Sequence, residues 1–167
     1  MRIARDFRLL LLVLVCLSSG CATRPKEYAR VKVYFATDRR RAPDVGLYFG
    51  RERGNLTWGV CDVDVVVNDR PGKVERPRSA TTLPSNYNPL VNNAGLYGVQ
   101  ELRPEDWSTG IKGDIESGRN TKECLVFVHG YNQPFPKAMY HAAQLAYDVG
   151  FQGVPVVFSW PSQAEIL

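Results

Sequence analysis

The sequence predicts an α/β fold in which a mostly parallel sheet is flanked by helices. Three observations predict it. First, Cys124-Leu125-Val126-Phe127-Val128 and Val154-Pro155-Val156-Val157-Phe158 are short, continuous apolar runs rich in β-branched and aromatic residues. Runs of this length without alternation suggest strands covered on both faces, as in a parallel sheet. Second, residues 134–149 between them carry one helical pattern, with Phe135, Met139, Ala142, Leu145, Ala146 and Val149 on one face and Gly150 as the stop. Strand, turn, helix and strand in that order make a βαβ unit. Third, the two runs stop at His129-Gly130-Tyr131-Asn132 and at Ser159-Trp160-Pro161-Ser162. In an open α/β sheet, ligands sit outside the carboxyl ends of the strands.

The chain begins with a targeting segment. Arg2, Arg5 and Arg8 precede an uninterrupted apolar run, Leu9 to Leu17, followed by Ser18-Ser19-Gly20. A spanning helix needs about 20 apolar residues, so this shorter run reads as a signal peptide over residues 1–20. Leu17-Ser18-Ser19-Gly20-Cys21 resembles the bacterial lipoprotein cleavage box, departing from it at Ser18, where that box most often has Leu. The resemblance implies cleavage before Cys21, a lipid on the Cys21 sulfur, and a periplasm-facing place on a bacterial envelope membrane. The alternative is an ordinary secretory signal with an incidental cysteine.

Charge and cysteines narrow the rest. The chain has 21 basic and 17 acidic residues, a net charge of +4. Three of the basic residues and one acidic residue, Asp6, lie in the signal, leaving 18 against 16. That bias is too weak to argue for a nucleic-acid partner. Cys16 leaves with the signal and Cys21 takes the lipid, so Cys61 and Cys124 remain. An oxidising envelope permits a disulfide between them. Two separate, buried strand thiols is the preferred reading.

Residues 21–30 read as a polar tether, and residues 31–167 as a single partial domain. Val31, Val33 and Phe35 alternate with Lys32 and Tyr34 in a strand from Arg30 to Thr37. Asp38-Arg39-Arg40-Arg41 ends that strand and reads as a solvated loop, with contact to anionic lipid headgroups as the alternative. Leu56 to Val67 is the next strand. Its odd positions form an apolar face, with Asp62 and Asp64 pointing to water as on an edge strand. A paired-carboxylate metal or acid–base role for Asp62 and Asp64 is the weaker reading. The Pro-rich stretch of residues 68–90 reads as a loop. Residues 96–102 suggest a strand. Residues 104–117 suggest a helix: Pro104 suits its first turn, Glu105 and Asp106 suit its positive end, and Trp107, Ile111 and Ile115 recur every four residues. Gly110 and Gly113 weaken it by about 1 kcal/mol each.

The turn after Val128 carries the chemistry. Gly130 lets the backbone bend close to a reacting atom, and the N–H groups after it can face a developing oxyanion, a donor worth about 2.7–4 kcal/mol in other enzymes. VFVHGYN followed by FPKAMYHAAQLAYDVGFQGVPVVFSWPS is similar to a family of bacterial α/β hydrolases of unknown function in the esterase/lipase superfamily. The resemblance is strong over about residues 123–163 and weaker at YFATDR (Tyr34 to Arg39), Gly59 to Val65 and VERP (Val74 to Pro77). It implies the N-terminal part of an α/β-hydrolase fold and serine hydrolysis of an ester or related acyl substrate. It also implies an oxyanion hole using backbone N–H groups of Gly130 and Tyr131, with a structural role for His129.

The rest of such a site is not visible. Nucleophiles of this fold sit on a G-x-S-x-G-like elbow with acid and base following, and no G-x-S-x-G occurs in the sequence. No histidine follows Ser159 or Ser162, which therefore read as residues at the rim of a site. His141 reads as a surface histidine. Cys124, His129 and His141 lack zinc-site spacing, and no G-x-G-x-x-G or P-loop motif occurs. The reading therefore includes no metal, no cofactor and no catalytic residue. It is of a hydrolase part ending before its nucleophile, acid and base, inactive alone, with Val154–Phe158 left as an unpaired apolar edge. The alternative is a non-catalytic binding or structural lipoprotein.

Overall fold

The computed structural model describes residues 28–43, 47–67, 95–117 and 122–162. The signal segment, Cys21 and the loop over residues 68–90 lie outside the described residues. Five strands form one sheet: β1 (Tyr28–Arg41), β2 (Phe49–Val66), β3 (Leu96–Leu102), β4 (Cys124–Val128) and β5 (Val154–Ser159). Two helices flank it, α1 (Pro104–Ser117) and α2 (Phe135–Asp148). The strand order is β3-β2-β1-β5-β4. The pairings β1–β2 and β2–β3 are antiparallel, while β1–β5 and β4–β5 are parallel. The sheet is therefore mixed rather than mostly parallel: an antiparallel meander joined to a βαβ unit, consistent with an α/β-hydrolase-like fold.

Sequence expectations about three strands are overturned. Val154–Phe158 is no edge; β5 lies between β1 and β4, and its residues Val154 to Val157 are buried. The described edge on that side is β4, with Val126 64% and Val128 57% exposed. A five-residue apolar run looks the same whether one face or both are covered, so composition could not tell β4 from β5. Likewise, Asp38–Arg41 does not end β1, which continues to Arg41 and begins at Tyr28, inside the stretch read as a tether. Cross-strand pairing with β2, through register shifts beyond Thr37, overrides the poor strand propensity of a charged run. β2 is not an edge either, since β3 covers its far side.

The two faces of the sheet bury different cores. Towards α2, Val33, Phe35, Phe49, Cys61, Val63, Val65 and Val157 pack against Phe135, Ala138, Met139 and Ala142. Phe135 is the centre, its ring 5.0 Å from Phe35 and 4.7 Å from Phe49. The buried stripe of α2 runs through Ala138 and Ala143, whereas Leu145 and Val149 are exposed. Gly150 takes a φ of +64° after the helix, where other residues would be strained.

Towards α1, Ile111 packs with Tyr34, Val154 and Val156, and Trp107 and Ile115 flank them. The Tyr34 hydroxyl donates to Asp114 at 2.8 Å. A Cβ on Gly110 would sit 2.8 Å from that hydroxyl, so Gly110 is what lets α1 come close, while Gly113 faces open space. Asp64 pairs with Arg30 at 2.8 Å. Cys61 and Cys124 are both free, but against the expectation of two buried thiols only Cys61 is buried, which pushes its pKa up, while Cys124 is exposed on the edge strand β4.

Candidate functional site

The carboxyl ends of β1 and β5 point the same way as that of β4, because the three strands are mutually parallel. At this end the chain leaves β4 through residues 129–134 and leaves β5 through residues 160–162. The two exits are tied together. The Trp160 indole N–H donates to the His129 carbonyl at 2.9 Å, and its ring stacks on the imidazole at a centroid distance of 5.4 Å. The Gln133 N–H donates to Ser162 Oγ at 2.9 Å, and the Ser162 hydroxyl in turn donates to the Gln133 carbonyl at 2.9 Å.

Beneath these ties lies Arg39, only 1% exposed. Its Nε–H donates to Ser159 Oγ at 3.0 Å and its Nη1–H to the Gly50 carbonyl at 2.9 Å. Its Nη2 group donates to the Gln133 carbonyl at 2.6 Å, with His129 Nε2 and Ser162 Oγ each at 3.3 Å. Thr37 completes the layer, donating to the Ser159 carbonyl at 2.6 Å and accepting from the Arg39 N–H at 3.2 Å. Arg39 thus crosses from β1 to both exits. Burial lowers its pKa to about 10, opposed by nearby Asp38, so the guanidinium remains charged at neutral pH.

The protons of His129 follow from its partners. Its Nδ1 lies 2.8 Å from the Gly130 carbonyl, which can only accept, so Nδ1 carries the hydrogen. Its Nε2 is then a lone pair, matching the donors Arg39 and Ser159, the latter at 3.2 Å. The ring is buried, and burial together with Arg39 pushes its pKa below the ordinary value despite the Gly130 and Trp160 backbone contacts. His129 is neutral at pH 7.

A serine hydroxyl near the lone pair of a neutral imidazole has the geometry of a nucleophile and its base. The search for a histidine after Ser159 missed it, because His129 comes before Ser159 in the chain. The surroundings oppose catalysis. Ser159 is 0% exposed, so its hydroxyl presents no open face among the described residues. A working base must become imidazolium, which a carboxylate normally stabilises; here the cation Arg39 stands at the lone pair instead. Hydrogen bonds among Ser159, His129 and Arg39 tie three strand ends into one knot.

The turn above the knot is open. Gly130 is exposed, a Cβ there would meet nothing within 4 Å, and its φ is not positive. The turn does not need glycine for its bend; the left-handed residue is Asn132, with φ +58°. Tyr131 is 61% exposed. His141 is half-buried in the middle of α2. Among the described residues no group of His, Cys, Asp and Glu could hold a metal ion, and none of the described helices is long and apolar enough to cross a membrane.

Fold and turn together define an α/β-hydrolase-like architecture with a polar, arginine-anchored turn at the carboxyl end of its βαβ unit. Residues 107–167 match a family model described as alpha/beta hydrolase of unknown function (DUF900). The match takes in most of α1 and all of β4, α2 and β5, and so the whole of the 129–133 turn. No curated protein and no solved structure matches the chain.

Proposed function

We propose that this chain presents the charge-stabilising part of an acyl-ester hydrolase site on a lipid-anchored protein of a bacterial envelope. The observation that carries the reading is the open 129–133 turn at the carboxyl end of β4, inside the segment similar to α/β hydrolases of unknown function. The backbone N–H groups of Gly130 and Tyr131 would face the oxyanion of a tetrahedral intermediate. His129 serves the turn structurally, through its ring contacts with the Gly130 carbonyl and Trp160. Cys21 would carry the lipid. An ester or related acyl compound is the substrate class, and turnover needs a nucleophile, an acid and a base besides the residues described.

The test is hydrolysis of a short-chain nitrophenyl ester by the purified chain. The reading predicts no turnover above buffer. Turnover that disappears on Ser159→Ala would overturn it by making the buried dyad catalytic. Labelled palmitate tests the anchor: label in the parent and none in Cys21→Ser supports it, and an unlabelled parent removes it. One observation favours a second reading, a non-catalytic envelope module: the serine nearest a histidine lies sealed beneath Arg39. An isolated chain that unfolds cooperatively would favour that module.

A further inference from the structure

We infer that His129 latches the 129–133 turn to the exit of β5, and that acid opens the latch by placing a proton on its Nε2. The latch has few parts. The imidazole is 3% exposed and lies nearly parallel to the Trp160 ring, with 10° between the planes. Its Nε2 lone pair is the acceptor for Arg39 Nη2 at 3.3 Å and for Ser159 Oγ at 3.2 Å. The remaining ties run from the His129 carbonyl to Trp160, and from Gln133 to Ser162 and Arg39.

A proton on Nε2 turns these contacts against the ring. The atom becomes a donor facing an Arg39 N–H that can only donate. The Ser159 hydroxyl can still accept, but it must turn its own hydrogen away. The ring also becomes a cation 3.3 Å from a guanidinium. Both groups are buried, so their repulsion is poorly screened. The surroundings supply no opposite charge. β1 brings Arg39, the charged side chain that acts on the ring. β5 brings Ser159, and its exit brings Trp160. The turn brings the Gly130 carbonyl, already bonded to Nδ1. Asp38 acts on Arg39 and pairs with Arg53 at 3.1 Å, and among the described residues no carboxylate bonds to the imidazole.

The ring relieves the repulsion by leaving, and the turn is built to follow. Gly130 and Tyr131 are already exposed. Gln133 Oε1 is buried with no hydrogen-bond partner among the described residues, and opening returns it to water. Outside, the imidazole protonates at its ordinary value of about 6.5. Each pH unit below that favours the open turn by up to about tenfold, until the closed ring itself takes up the proton. The body of the sheet and α2 keep their separate core around Phe135 and Val157. The inference concerns the turn proposed above for acyl chemistry but needs no nucleophile and no ester, so it stands or falls apart from that reading.

The experiment measures hydrogen exchange in the full chain between about pH 8 and about pH 4.5, corrected for the intrinsic pH dependence of exchange. The Trp160 indole N–H and the Gln133 amide report the latch, because each is bonded across it. The Ala142 amide reports the packed body. The expected result is latch protection that falls up to about tenfold per pH unit below about 6.5, while Ala142 protection holds. In His129→Gln, which keeps an acceptor for Arg39 but cannot titrate, the latch should lose this pH response. Latch protection that is constant across the range overturns the inference. So does protection lost together at the latch and at Ala142, which is global acid unfolding, and so does a pH response that persists in His129→Gln. If His129→Gln does not fold, the wild-type onset decides. An onset in the histidine range, about 6.5 and below, supports the latch, and an onset only in the carboxylate range, near about 4, overturns it. Ester turnover is read in no arm, so its absence counts only against the hydrolase reading.

Discussion

β5 has two neighbours, and they differ in what they bury. On the β1 side, Arg39, Thr37 and Ser159 are almost wholly buried and are bonded to each other or to the two chain exits. On the β4 side, Val126 and Val128 stand mostly exposed. Polar groups are inside and apolar groups outside, the reverse of the usual distribution. Burial of a polar group is tolerable where its partners are supplied, and the Arg39 knot supplies them. Exposure of Val126 and Val128 is the state of a surface that none of the described residues covers. The knot thus reads as a fixed part of the molecule, and the β4 flank as a surface whose apolar groups contribute little to its stability.

The comparison can be broken in several places. Phe135→Ala should do most damage, because that ring contacts Phe35, Phe49 and Tyr48 in the α2 core. A loss of about 4 kcal/mol is expected by chemical denaturation. Arg39→Met comes next, at about 3 kcal/mol, since it strands buried acceptors on three strand ends; a loss under about 1 kcal/mol would mean the knot is incidental. Two glycines on α1 should move in opposite directions. Gly110→Ala drives a methyl against Tyr34 and should destabilise by about 1 kcal/mol, whereas Gly113→Ala, in open space, should stabilise by up to about 1 kcal/mol. Val126→Thr on the β4 flank should change stability by under about 0.5 kcal/mol. Its effect should appear instead as reduced self-association in sedimentation, because an apolar strand edge invites pairing between chains.

The βαβ unit was legible because its signals are local: apolar runs of strand length, a helical period, and Gly150 after it. The helix over residues 104–117 was legible for the same reason, through Pro104 and the spacing of Trp107, Ile111 and Ile115. The order of the sheet was not. Whether Val126 or Val156 ends up covered depends on which strand inserts beside β1, a long-range choice that neither run encodes by itself. The knot was the deepest miss. Asp38-Arg39-Arg40-Arg41 looks like solvated charge, yet strand alternation sends Arg39 inward while Arg40 and Arg41 stay at the surface. One signal was there: Val33, Phe35, Thr37 and Arg39 fall at every second position, so the face that buries Val33 and Phe35 claims Arg39 as well, in spite of the register shift after Thr37. Ser159 meeting His129 was hidden because the two belong to adjacent parallel strands separated by a helix.

The state of His129 tests the account most directly, since the Arg39 knot dictates it. Nitrogen resonances of the imidazole, followed through a pH titration, report tautomer and pKa together. The account predicts a neutral ring at pH 7 with the proton on Nδ1, and a pKa below the ordinary value of about 6.5. The unfolded chain would then take up the proton before the folded one. Stability from this group would be complete above pH about 6.5 and would decline as the pH falls through the lowered folded-state pKa. A proton on Nε2, or a pKa at or above the ordinary value, would mean that the ring is not buried between Arg39, Ser159 and the Gly130 carbonyl as described, and would contradict the account.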